Sequence, residues 1–136
     1  MANFLSRLRA RIWGKPPAPV RPLPPLEPEP EEITVPEVTV ADLQAALVRA
    51  HPPLVLDVRE PWEWRQVHMG NALHIPMNDV PTHLTELPNE QEIVVICAHG
   101  SRSYGVAGYL IEQGYRASSL SGGITQWAHD GGEISR

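Results

Sequence analysis

One cysteine, Cys97, has the clearest potential for covalent chemistry in this chain. It is the only cysteine among 136 residues, so no disulfide can form within the chain. A lone cysteine is often an inert, buried small hydrophobe, and it becomes a nucleophile only where its surroundings favour the thiolate. Its neighbours along the sequence decide between these two interpretations.

The segment around Cys97 predicts a strand, a tight loop and a helix. The apolar run 93–97 is typical of a buried parallel strand. Gly100 permits a left-handed turn, and Ser101 is a suitable N-cap for a helix over residues 103–113. Because ligands of parallel α/β sheets bind at the carboxyl ends of strands, this loop is a candidate binding site.

Such a loop favours an anion. The backbone N–H groups of Ala98, His99, Gly100, Ser101, Arg102 and Ser103 can form an anion nest at the positive end of the helix dipole. His99 and Arg102 are the local cations, and together these features would lower the pKa of a thiol. The nest can hold a small sulfur oxyanion or stabilise a persulfide. A phosphate cradle uses similar loops, but the Walker GK[ST] sequence is absent.

Two further charged residues are expected beside this loop. Asp57 and Arg59 end the neighbouring strand, and we expect them to support the pocket by ion pairing and hydrogen bonding. Arg102 has two interpretations, a direct contact with the anion or a structural pair with a carboxylate, and the structural pair is favoured. Glu63 is interpreted as ordinary surface. His68 and His74 lack the spacing of metal ligands, so no metal site is expected.

Strands alternate with helices along the globular part of the chain, which predicts an α/β fold with a mainly parallel central sheet flanked by helices. Thr39 and Asp42 form a capping-box pattern at the start of the first helix. The tryptophans of the globular part are interpreted as core or rim packing. The predicted elements are helix 40–50, strand 54–58, a helical turn 61–64, an edge strand 72–75, a weak helix 79–87, strand 93–97, helix 103–113, strand 117–120 and a final helix containing Trp127.

Composition divides the chain into three parts. Residues 1–15 carry four basic and no acidic side chains, and their apolar residues fall on one face of a helix. Residues 16–37 form a proline- and glutamate-rich linker, and residues 38–136 form the domain, with six basic and eleven acidic side chains. An acidic domain argues against nucleic acid as a partner.

The segment 1–15 leaves three interpretations open. It is a basic amphipathic helix that binds a membrane surface or a protein, a frayed tail, or a cleaved targeting segment. No apolar run reaches the roughly 20 residues of a membrane span. We therefore expect a cytoplasmic protein, peripheral at the membrane if this segment binds there.

Four segments together resemble the rhodanese family, over about residues 38–131. The resemblance rests on Cys-Ala-His-Gly-Ser-Arg-Ser at 97–103, Asp-Val-Arg-Glu-Pro at 57–61 followed by Glu63, His-Met-Gly-Asn-Ala-Leu-His-Ile-Pro at 68–76, and Leu-Ser-Gly-Gly at 120–123 followed by Trp127. The order of the four segments matches the family's order. The six residues from Cys97 to Arg102 match its sulfurtransferases, whereas the related dual-specificity phosphatases have one residue more.

The resemblance implies an enzyme without a cofactor. Cys97 would be the nucleophile, and it would carry sulfur as a persulfide from thiosulfate or a protein persulfide to a thiol or to cyanide. The alternative is a weakly catalytic rhodanese-fold docking module, tethered by residues 1–15. A phosphatase or arsenate reductase is disfavoured by the loop length.

Two positions depart from the family pattern. Ala98 stands near a position where thiosulfate-preferring relatives often carry a basic residue, so the resemblance makes a protein persulfide an equally good donor. Asn71 replaces a usual glycine, and a left-handed backbone is expected there because asparagine tolerates it best.

Overall fold

The computed structural model describes residue 14 and residues 16–28 and 32–136. The predicted amphipathic segment 1–15 lies almost entirely outside these residues. Residues 16–28 form neither helix nor strand, and all their side chains are exposed, including Val20, Leu23 and Leu26. In the described residues no helix combines the length and apolar character needed to cross a membrane.

The domain is built on a five-stranded parallel sheet, which confirms the predicted fold class. The strands are β1 (Glu37–Val38), β2 (Leu54–Asp57), β3 (Leu73–His74), β4 (Ile93–Ile96) and β5 (Ala117–Leu120), in the spatial order β1-β5-β4-β2-β3. All four pairings are parallel, so the carboxyl ends of β2, β4 and β5 meet at one edge. Cys97 follows β4 at this edge, and Asp57 ends the adjacent β2.

Helices cover both faces of the sheet. They are α1 (Val40–Leu47), α2 (Pro61–Gln66), a 3₁₀ helix (Met77–Glu86), α3 (Ser101–Glu112) and α4 (Gly123–His129). Alternate residues of β4 enter two separate apolar clusters, because successive side chains of a strand point to opposite faces. Val95 and Cys97 pack with α3 and the 3₁₀ helix, whereas Val94 and Ile96 pack with α1 and α4.

Several predicted boundaries shift. The helix expected to reach Ala50 ends at Leu47, where its run of core-facing residues ends, and Val48 is exposed. The helix expected from Ser103 begins at Ser101, because Gly100, with φ of 105°, is the N-cap in place of Ser101. The weak helix 79–87 is a 3₁₀ helix with Pro81 inside it; proline lacks the N–H that a regular α-helix requires.

Other expectations are corrected by the backbone and by burial. No non-glycine residue of the described chain has a positive φ, so Asn71 is not left-handed and the turn there does not need a glycine. Strand β1 is only two residues long and has no periodicity that could reveal it. Trp127 belongs to the core as predicted, but Trp62 is exposed.

The capping box at α1 is formed as the sequence predicts. The Asp42 N–H donates to Thr39 Oγ1, and the Thr39 N–H donates to the Asp42 carboxylate, both at 3.1 Å. We expect Thr39→Ala to lower the free energy of unfolding by about 1 kcal/mol, since the Asp42 N–H at the start of the helix loses its hydrogen-bond acceptor. Urea denaturation measures it. Thr85→Ala is the control, because the Thr85 hydroxyl makes no hydrogen bond to the described residues; an equal loss in both variants would contradict the prediction.

Candidate active site

The Cys97 thiol lies inside the predicted loop rather than on its surface. Cys97 is 1% exposed, and the Gly100 N–H donates to its Sγ at 3.0 Å. Sγ also lies 3.4 Å from the Ser103 hydroxyl oxygen, in the first turn of α3. The structure therefore brings Cys97, Gly100 and Ser103 together, with the N-terminus of α3 directed at the sulfur.

The pKa of Cys97 is set by two opposing effects. Burial raises it, because the charged thiolate loses contact with water. Hydrogen bonds from the Ser103 hydroxyl and from the backbone N–H groups of Ser103, Gly100 and His99 lower it, and their sum prevails, so the pKa of Cys97 lies below that of an ordinary thiol. The site therefore stabilises a thiolate, which is the nucleophilic form.

A second glycine turn holds the outer side of the loop. The Ile124 N–H, at the start of α4, donates to the Cys97 carbonyl at 2.8 Å, and the Thr125 N–H donates to the Ala98 carbonyl at 3.2 Å. These bonds fix the peptides of the loop. Gly123, with φ of 61°, makes the close approach possible, since a Cβ there would overlap the Cys97 and Ala98 backbone.

Arg102 makes a paired salt bridge with Glu63, as the structural interpretation predicts. Its two terminal nitrogens donate to the two carboxylate oxygens at 2.7 and 2.9 Å. This pairing lowers the pKa of Glu63 and raises that of Arg102. The interpretation of Glu63 as ordinary surface is wrong, because its side chain is 13% exposed and ties α2 to the loop.

Asp57 and Arg59 form a buried ion pair behind this salt bridge. Arg59 donates to the Asp57 carboxylate through its backbone N–H, Nε and Nη2, at 3.0, 3.0 and 2.7 Å. Its Nη2 also donates to the Val67 carbonyl at 2.8 Å, and its Nη1 to the Glu63 carbonyl at 3.4 Å. Arg59 therefore holds the C-terminal end of α2 against the sheet, and this in turn sets the position of Glu63.

His68 and His74 support α2 rather than Cys97. Both imidazole rings stack on the Trp64 ring, with centroid distances of 4.0 and 4.8 Å. His74 Nε2 lies 2.8 Å from the Arg59 carbonyl, and His68 Nδ1 lies 2.8 Å from the Trp64 carbonyl. Among residues 32–136 no cluster of three metal-ligating side chains occurs.

The remaining loop residues differ in exposure. His99 and Ser101 are exposed, and Ala98 is half-buried. Sequence reasoning missed Ser119 on β5, which is fully buried with its hydroxyl 2.8 Å from that of Ser103. One weak signal was available, since a serine inside an apolar strand needs a polar partner.

The fold and this loop define a class before any comparison. A parallel α/β domain that holds a thiolate among backbone N–H groups at a helix N-terminus is suited to nucleophilic sulfur chemistry on anions. Comparison with known proteins then specifies the family.

The profile of the rhodanese-like domain matches residues 39–130. A sulfurtransferase of Allochromatium vinosum is 37% identical over 96 residues, which cover 70% of this chain and 90% of that protein. Thiosulfate sulfurtransferase GlpE of Tolumonas auensis is 33% identical over 86 residues, covering 62% of this chain and 81% of that protein. The crystal structure of a rhodanese-like domain protein from Staphylococcus aureus aligns with a TM-score of 0.68 at 30% identity, over 75% of this chain and 100% of that chain. The chain belongs to the rhodanese-like family and is a rhodanese-type sulfurtransferase.

The glycine turn yields a prediction about the loop. Gly123→Ala should lower the free energy of unfolding by about 2 kcal/mol or more, because it adds a left-handed non-glycine residue and an overlap with the Cys97 backbone. It should also raise the pKa of Cys97, measured by the pH dependence of alkylation. Gly114→Ala is the matched control, since Gly114 has φ of 92° and open space around it, so that its cost is backbone strain alone, about 1 kcal/mol. Equal losses in the two variants would refute the role of the close approach.

A substitution of Glu63 should lower the pKa of Cys97, whereas Gly123→Ala should raise it. Glu63→Gln keeps one of the two hydrogen-bond acceptors of Arg102 but removes the negative charge, so more positive potential reaches Cys97. We expect the pKa of Cys97 to fall and alkylation at low pH to accelerate. The free energy of unfolding should fall by about 1 kcal/mol at neutral pH, with the loss shrinking as pH drops through the lowered Glu63 pKa, where the wild-type pair also loses its charge.

Glu112→Gln, the same change at the exposed end of α3, controls for net charge. The midpoint of the pH dependence of alkylation is compared among the variants. If this midpoint in Glu63→Gln equals that in Glu112→Gln, or lies above that of the wild type, the Glu63 charge does not raise the pKa of Cys97.

Proposed function

We propose that Cys97 carries sulfane sulfur as a persulfide between a donor and a thiophilic acceptor. The observation that carries the proposal is the position of Sγ, which accepts the Gly100 N–H at 3.0 Å inside a loop at the N-terminus of α3. A group held in this way is stabilised as an anion without a metal or an external base.

The first half-reaction exchanges one S–S bond for another, without net oxidation or reduction. The Cys97 thiolate attacks the outer sulfur of the donor, a new S–S bond forms, and the donor's own S–S bond breaks. A persulfide donor leaves as a thiolate, whereas thiosulfate leaves as sulfite. The product in either case is Cys97 persulfide, and no oxidant is required.

The second half-reaction returns the enzyme to its starting state. A thiol or cyanide attacks the outer sulfur of the Cys97 persulfide, and the Cys97 thiolate leaves. A thiol of low pKa is the better leaving group. The donors around Sγ therefore assist this step by stabilising the charge that develops on the sulfur.

The charges near the loop favour a persulfide donor over thiosulfate. The Arg102 guanidinium is paired with Glu63, and that of Arg59 is paired with Asp57. Ala98 contributes no charge, which leaves His99 as the exposed cationic candidate of the loop. Thiosulfate, a dianion, loses more hydration on entering the loop than a singly charged or neutral persulfide does, and both guanidinium groups that could offset this loss are already paired.

Intact mass spectrometry tests the persulfide directly. The full chain is incubated with thiosulfate, or separately with a persulfidated cysteine desulfurase, and then with reductant or cyanide. We expect a gain of one sulfur atom that reductant removes and cyanide converts to thiocyanate, and we expect more of it from the desulfurase. Because the chain has one cysteine, a reductant-sensitive gain in mass places the added sulfur on Cys97.

Cys97→Ser is the matched control and should gain no sulfur. If the wild-type protein gains none from either donor, the persulfide cycle is wrong. A docking module, tethered through residues 1–15, then becomes the better interpretation.

A further inference from the structure

A buried serine on the neighbouring strand extends the hydrogen bonding of Cys97 into the core. Ser119 lies on β5 opposite Val95 of β4, two residues before Cys97. Since paired residues of adjacent strands face the same side, Ser119 and Cys97 both point toward α3. Ser103, in the first turn of α3, lies between them: its Oγ is 3.4 Å from Cys97 Sγ and 2.8 Å from Ser119 Oγ.

All three side chains are sealed from water. Cys97 is 1% exposed, and Ser103 and Ser119 are 0% exposed. Within the described residues, Ser103 is the hydrogen-bond partner of the Ser119 hydroxyl and no other is present. A buried hydroxyl that has a single partner must direct its hydrogen to that partner or leave it unsatisfied.

This restriction decides which of the two hydroxyl groups is the hydrogen-bond donor and which is the acceptor. If Ser103 donates to Ser119, the hydrogen of Ser119 has no acceptor. If Ser119 donates to Ser103, the hydrogen of Ser103 is free to donate to Sγ, and every hydroxyl hydrogen is used. The second arrangement requires an acceptor at Cys97, and a thiolate is a much stronger acceptor than a thiol.

We propose that Ser119 is a positioning residue of the sulfurtransferase, which acts through Ser103 to keep a hydroxyl donor directed at Cys97 Sγ. Ser119 does not touch substrate. The proposal rests on the proposed persulfide cycle for its consequence in turnover, where the same donor stabilises Sγ as it leaves in the second half-reaction.

Other charged groups near the thiol are arranged in pairs and do not replace this donor. Arg102 of α3 is bound to Glu63 of α2, with Glu60 nearby, and Arg59 is bound to Asp57 after β2. His99 lies in the loop itself. The first turn of α4, Gly123-Ile124-Thr125, contributes no ionisable side chain.

The pH dependence of alkylation by iodoacetamide tests the proposal on the full chain. Ser119→Ala should raise the midpoint of the pH dependence of alkylation and slow alkylation by about threefold at a pH below that midpoint, because the Ser103 hydroxyl loses the hydrogen bond that orients and polarises it. Ser118→Ala is the matched control: Ser118 is the adjacent strand residue, pairs with Val94 and faces the other side of the sheet, so the wild-type midpoint is expected.

A double-mutant cycle separates positioning through Ser103 from a general structural effect. Ser103→Ala should raise the midpoint further than Ser119→Ala, and adding Ser119→Ala to Ser103→Ala should change it no further. An undiminished Ser119→Ala effect in the Ser103→Ala background, or a wild-type midpoint in Ser119→Ala, would overturn the proposal. If Ser119→Ala is too unstable to assay in buffer alone, both it and the wild-type protein are measured in a stabilising osmolyte, where the same shift between them is expected.

Alkylation requires no sulfur transfer, so the two proposals fail separately. A shifted midpoint in Ser119→Ala, together with no sulfur gain in the wild-type protein, would retain the positioning role and refute the persulfide cycle. Sulfur gain with an unshifted midpoint would do the reverse. With both proposals correct, release of sulfur from Ser119→Ala persulfide to cyanide should slow by about the same threefold factor.

Discussion

A buried thiolate is stable only if donors fixed in place replace the water it has lost, and the rest of this domain depends on that requirement. The donors are backbone N–H groups and one hydroxyl, none of which carries a full charge. Their value comes from direction, because a dipole that can rotate away gives little stabilisation. Cys97 is 1% exposed, yet its pKa is lowered, so the loop meets this requirement.

Two supports hold the loop from opposite sides. On one side, two backbone N–H groups at the N-terminus of α4 donate to the carbonyls of Cys97 and Ala98. These bonds fix the orientation of the two peptide groups. On the other side the buried Asp57–Arg59 pair holds α2, and α2 carries Glu63 to Arg102. Helix α2 buries no side chain of its own, so hydrogen bonds and stacking on Trp64 fix it where apolar packing does not.

The same supports also affect the chemistry of the site, because they pair its two arginines with carboxylates. Both guanidinium groups near the loop are paired with carboxylates, so the field at the sulfur comes mainly from backbone dipoles and the start of α3. Such a site can stabilise a single negative charge on sulfur during attack and again during departure. Arg102 and Arg59 are both paired, which separates this arrangement from sites in which a free arginine holds an oxyanion.

The sequence by itself determined the candidate nucleophile, the loop and the fold class, because each is encoded locally: an apolar run of strand length, a cysteine at its end, and glycines where the chain turns. It also predicted ion pairing and hydrogen bonding by Asp57 and Arg59 beside the loop, and the structure shows that the two residues pair with each other. The tertiary structure alone decided the role of Glu63, 39 residues from Arg102, and that of Ser119, 16 residues from Ser103. Strand register assigns Ser119, and not Ser118, to the side of the thiol, and the helix position set by Arg59 turns Glu63 from a surface carboxylate into a partner. Both depend on contacts between distant segments, which no local pattern records.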